Sequence, residues 1–129
     1  MIRSIFKSSI AILVLISCEK YKNENSDSGS YSFNKGKSGV EMKILSGHNY
    51  LIYDTPIKTN FEWTNIDPKT SSIIGTGIRI LETKNGVTKT EINVPENILK
   101  SDTLYIKLNF RNNGENTRTE FRVPIKTKR

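Results

Sequence analysis

The chain is predicted to fold as an all-β, antiparallel sandwich, and three features of its 129 residues predict it. Apolar and polar side chains alternate with a period of two along several stretches between residues 57 and 125. Two Asn-Gly pairs sit between such stretches, and the stretches recur with the rhythm of a sandwich, about seven in about one hundred residues. A period of two places successive side chains on opposite faces, so each strand has one dry and one wet face.

Residues 41–45 and 49–53 are the first expected strands. In residues 57–63, Ile57, Thr59, Phe61 and Trp63 fall on one face and Lys58, Asn60 and Glu62 on the other, which assigns Trp63 to the core. Asn85-Gly86 supplies the positive φ angles of a tight hairpin and pairs residues 78–83 with 87–94. Residues 95–102 then cross the end of the domain with one helical turn, Ile98 or Leu99 plugging the core. Asn113-Gly114 closes a second hairpin, pairing 104–111 with 117–125. Leu104, Ile106, Leu108 and Phe110 point inward and Tyr105 outward. Phe121, Val123 and Ile125 repeat the alternation around Pro124, which lacks a ladder donor and belongs at an edge or a strand end. About seven strands at this size describe an immunoglobulin-like sandwich, over residues 39–129, without the disulfide of antibody domains.

The N-terminus has a different character. Arg3 and Lys7 precede an uninterrupted apolar run from Ile10 to Ile16, bounded by Ser8, Ser9 and Ser17. This is the layout of an export signal over residues 1–17, and the run is far shorter than the roughly 20 apolar residues that cross a bilayer. Leu15-Ile16-Ser17-Cys18 resembles the lipobox of bacterial lipoproteins: a branched apolar residue, a variable residue, a small residue, then cysteine. The resemblance implies cleavage between Ser17 and Cys18, a diacylglyceryl group on the Cys18 thiol, and further acylation of the new amine, palmitate being a typical chain. A thiolate is the side-chain nucleophile most readily alkylated, and two or more chains anchor stably where one is marginal. Cys18 is the only cysteine, so no intramolecular disulfide competes for it. Residues 18–38, rich in Asn, Ser, Gly and charge, are expected to be a flexible tether, with Tyr31 and Phe33 alternating as a loose first strand.

A second resemblance lies within the domain. Tyr53-Asp54-Thr55-Pro56-Ile57, a loop through Gly75 and Gly77, Val94-Pro95, and Phe121-Arg122-Val123 are similar in layout to the periplasmic immunoglobulin-like domains of the gliding-motility and type IX secretion shaft protein. That resemblance implies the fold and a Bacteroidota origin. It carries no functional residue across, and this chain has a lipobox and one domain in place of a membrane helix and a tandem array.

The residues that catalysis needs are scattered. His48, the single histidine, lies in a Ser-Gly-His-Asn turn and has no second histidine or free thiol to build a zinc site or a nucleophile. Asp54, Glu62, Asp67, Glu82 and Glu91 lie on separate polar faces and loops, and Gly75-Thr76-Gly77 lacks the lysine and helix of a phosphate loop. No cofactor and no metal are expected. A small paired-carboxylate hydrolase is the least favoured reading, open only because such acids come from distant positions.

The formal net charge is +7; removal of Arg3 and Lys7 takes the basic residues from 20 to 18 against 13 acids, leaving +5. Arg111, Arg118, Arg122, Lys126, Lys128 and Arg129 concentrate this surplus near the C-terminus. For an exported protein this directs attention to anionic lipid, phosphorylated lipopolysaccharide or acidic proteins, with nucleic acid not expected. The same cations also discourage edge-to-edge pairing. The expected function is that of a lipid-anchored, non-catalytic cell-envelope protein, at the outer membrane and facing the periplasm or the surface, whose domain binds another envelope component. A glycan-binding lipoprotein using Tyr50, Tyr53 and Tyr105 is the alternative.

Overall fold

The structure, a computed structural model, describes residues 23–26 and 29–128. It is all β apart from one 3-10 turn, Pro68–Thr70. Its strands are β1 (Asn23–Ser26), β2 (Ser30–Lys35), β3 (Ser38–Ile44), β4 (Leu51–Ile52), β5 (Ile57–Thr64), β6 (Ser72–Ile74), β7 (Ile78–Lys84), β8 (Val87–Ile92), β9 (Thr103–Asn112) and β10 (Glu115–Lys126). One sheet has the order β1-β2-β3-β5-β8-β7 and the other β4-β10-β9-β6. Strands β3, β5, β8 and β7 facing β10, β9 and β6 reproduce the seven-strand immunoglobulin-like arrangement. The short β4 belongs to the second sheet, where it runs parallel to β10 at Ile125 and Lys126.

The alternation read from sequence is the alternation that packs. Phe61, Ile106, Leu108 and Val123 are fully buried, and Tyr31–Phe121, Phe33–Phe110 and Trp63–Phe110 ring contacts near 6 Å join the two inner faces. Trp63 Nε1 donates to Thr88 Oγ1 at 3.0 Å, so its one polar atom is satisfied inside the core. Asn85 and Gly86 take φ of 55° and 76°, and Asn113 and Gly114 take 55° and 83°, which is the geometry of two-residue type I′ hairpins. Ile125 N–H donates to the Asp102 carbonyl, so the donor-less nitrogen of the preceding Pro124 faces away from β9, beside the point where β4 begins.

Three expectations are corrected. Ten strands are present among the described residues where about seven are expected: β3, β4, β5, β7, β8, β9 and β10 fall at the expected stretches, and β1, β2 and β6 add to them. Residues 30–38 are part of the sandwich where the sequence predicts tether. Tyr31 and Phe33 are buried against the second sheet, and Gly36, with φ 64° at the first central position, closes a two-residue β2–β3 hairpin. Ser38 Oγ donates to Asn112 Oδ1 at 2.8 Å, fixing the start of β3 to the end of β9. Residues 95–102 form turns and bends with no helical turn; Leu99 packs against the core and Ile98 is exposed.

Candidate interaction surface

The two sheets end on the same margin in β6 and β7, which are joined by the tight Gly75–Gly77 connection. Ile78 N–H reaches the Gly75 carbonyl, and Asn93 N–H donates to the Gly77 carbonyl at 2.9 Å. Strand β7 pairs only with β8, and β6 only with β9, among the described strands. Ile78 and Ile80 lie opposite Ile92 and Thr90, whose side chains are in the core, so β7 begins with its apolar face inward. The register then shifts between Ile80 and Glu82, leaving Leu81 as an extra residue. A bulge of this kind bends and twists the strand. Ile80 is 54% exposed and Leu81 41%, and Ile74, on the outer face of β6, is 53% exposed. On the outer face, Arg79 pairs with Glu91 at 2.7 Å, while Glu82 and Lys84 add further charge to the edge.

The tyrosines separate. Tyr53 is buried, and its hydroxyl donates to Asp102 Oδ1 at 2.6 Å; this bond, followed by desolvation, pushes its pKa up to about 12. Burial pushes the Tyr31 hydroxyl up to about 12 as well, and that group donates to the Asn49 carbonyl. Tyr50 has His48 stacked at 4.8 Å and Lys126 Nζ 4.1 Å from its ring centroid. Tyr50 and Lys126 border an open cleft of about 650 Å³ with Asp102 and Lys128. Tyr105 stands on the outer face of the second sheet, its ring 5.8 Å from the Arg122 guanidinium. Tyr50, Tyr53 and Tyr105 therefore do not present rings on one shared face.

His48 is exposed and turn-borne, as its sequence context predicts. Glu62 pairs with Lys43 at 3.2 Å, Glu91 with Arg79, and Asp67 caps the 3-10 turn through Lys69 N–H, so these carboxylates have separate structural partners. Among the described residues no group of three or more His, Cys, Asp or Glu side chains is placed to hold a metal, and no helix is long and apolar enough to cross a membrane. Ser17 and Cys18, the expected cleavage and lipidation residues, lie outside the described residues, as does Arg129. The sequence reading overlooks Ile74, Ile80 and Leu81 as surface residues; the adjacent pair Ile80-Leu81, which breaks the period of two, is the signal that marks them. Comparison with protein-family models, curated proteins and solved structures gives no match.

Proposed function

We propose that this chain is a lipid-anchored, non-catalytic cell-envelope protein whose sandwich binds another envelope protein along the β6–β7 margin. The observation that carries this reading is the exposure of Ile74, Ile80 and Leu81 beside a strand with no second partner among the described strands. Fully burying an aliphatic side chain contributes roughly 1.5–3 kcal/mol, and an open strand edge offers a row of backbone donors and acceptors for strand addition. Arg79, Glu82, Lys84 and the bulge at Leu81 restrict such pairing to a partner that complements them.

Attachment through Cys18, with cleavage after Ser17, supplies the envelope location, and the outer membrane is the proposed site. Strand β1 lies at the opposite end of its sheet from β7, so the chain would be tethered on one margin and bind on the other. Affinity capture from detergent-solubilised envelopes with the parent chain and Leu81→Lys tests the reading. It predicts a defined protein partner that is lost with Leu81→Lys. Recovery of a glycan with no protein partner would support the alternative and sink this one.

A further inference from the structure

We propose that the end of the sandwich from which the chain enters β1 docks on anionic lipid headgroups, holding the domain against the bilayer surface. The inference rests on lipid attachment at Cys18. It starts from an asymmetry between the two ends of the fold. At one end lie four connections that, with one strand residue on either side (35–38, 64–72, 84–87 and 112–115), hold Lys35, Lys37, Lys69 and Lys84 against only Asp67 and Glu115. Four cations less two acids leave +2, Glu115 is itself 4.0 Å from Lys35, and Arg111 and Arg118 lie just beyond, in β9 and β10. At the other end, counted alike, 44–51, 52–57, 74–78, 92–103 and 126–128 hold Lys100, Lys126 and Lys128 against Asp54, Glu96 and Asp102, which cancel; of the cations just beyond, Lys43 and Arg79 are paired with Glu62 and Glu91, and Lys58 is the third.

The route of the chain selects which end meets the membrane. In the β1–β2 pair, Asn23 lies opposite Phe33 and Ser26 opposite Ser30, so the chain comes into β1 from the side of the β2–β3 turn, the basic end. Only residues 19–22 separate Cys18 from Asn23, and fully extended they reach about 17 Å. An acylated Cys18 therefore keeps the basic end within a short distance of the headgroups, where even weak attraction acts at high effective concentration. Lys37, Lys84, Arg111 and Arg118 are exposed, with no carboxylate paired to them among the described residues. Clustered lysines and arginines near an anionic surface each add to the attraction, and the effect is screened by salt.

The test uses the mature chain, residues 18–129, carrying Cys18→Ser, which has neither the thiol to be acylated nor the apolar run 10–16, so that surface binding is measured apart from anchoring. Co-sedimentation is read with phosphatidylcholine vesicles with and without phosphatidylglycerol. Anionic vesicles should bind the chain more tightly, with binding weakening as salt rises. Combining Lys37→Gln, Arg111→Gln and Arg118→Gln should weaken that binding on the order of 10–100-fold. The charge-conserving set Lys37→Arg, Arg111→Lys and Arg118→Lys should retain it. A matched set at the other end, Lys100→Gln, Lys126→Gln and Lys128→Gln, should leave it nearly unchanged. Equal losses from the two Gln sets would overturn the proposal, since net charge alone would then explain binding. So would a chain that ignores anionic vesicles yet binds polyglutamate, which would reassign the basic end to an acidic protein. Failure of Cys18 to take up acyl chains is read separately, by palmitate labelling, and removes the anchor while leaving the vesicle result to stand.

Discussion

The Tyr53 hydroxyl donates to Asp102 at 2.6 Å, tying the segment after β4 to the crossing segment before β9. This bond joins two irregular connections at one end of the sandwich, just beyond the last paired residues of β4 and β9. Asp54 N–H to the Val94 carbonyl at 2.8 Å and Tyr53 N–H to the Lys126 carbonyl at 3.0 Å complete the junction.

The bond makes stability sensitive to alkaline pH. The folded-state pKa of Tyr53 is pushed up to about 12, above the ordinary value near 10 of an unfolded tyrosine. The neutral form is thus the one the fold favours. Its contribution is complete below pH 10 and is lost as pH rises through about 12, because the unfolded chain releases its proton first. Tyr31, raised by burial, adds a second contribution of the same sign. Denaturant midpoints for the parent and Tyr53→Phe should converge between pH 10 and 12; a gap that stays constant across that range would contradict the coupling.

Thr59 is fully buried in β5, and its Oγ1 has no hydrogen-bond partner among the described residues. Replacement by the isosteric Thr59→Val removes a buried hydroxyl without opening a cavity. It should raise unfolding stability by about 1 kcal/mol. Urea unfolding checks this, and a clear loss of stability would show that the hydroxyl makes a bond in the folded protein.

Two glycines with similar backbone angles should respond differently to alanine. Gly77 has φ 79°, and a Cβ there would sit 2.4 Å from the Asn93 carbonyl oxygen; Gly86 has φ 76°, with its nearest neighbour at 3.6 Å. Gly86→Ala should cost roughly 1–2 kcal/mol from the left-handed conformation alone. Gly77→Ala adds a clash with backbone and should cost appreciably more. Equal unfolding midpoints for the two variants would contradict the tight β6–β7 connection.

Leu81 is a bulge residue that contributes little to the core, so Leu81→Lys should alter the unfolding free energy by no more than about 0.5 kcal/mol. Thermal or urea unfolding measures this directly. A large loss would place Leu81 in the fold's own packing and deprive the margin of its proposed role.

Much of this architecture is legible in the sequence where one face of a strand is buried. Phe61 and Trp63, or Leu104 through Phe110, declare their strands because water and core alternate along them. The Asn-Gly turns declare their hairpins because few other dipeptides tolerate two positive φ angles. The β2–β3 hairpin is harder to see: Gly36 lies in a polar, Gly- and Ser-rich stretch whose composition suggests tether, and only Tyr31 and Phe33 oppose that reading. The crossing segment is misread as helical because a short apolar pair such as Ile98-Leu99 has no period of its own. The candidate surface is the least legible part. Ile80 and Leu81 are ordinary strand residues by composition, and their exposure follows from an edge position and a bulge that only pairing with β8 defines.

The most direct test is photo-crosslinking in intact cells with benzoylphenylalanine placed at residue 81, compared with residue 122, which is exposed on the outer face of β10 and separated from β6 by β9. The account predicts a protein adduct of defined mass from position 81 and none from position 122. An adduct from position 122 alone would contradict binding through the β6–β7 margin.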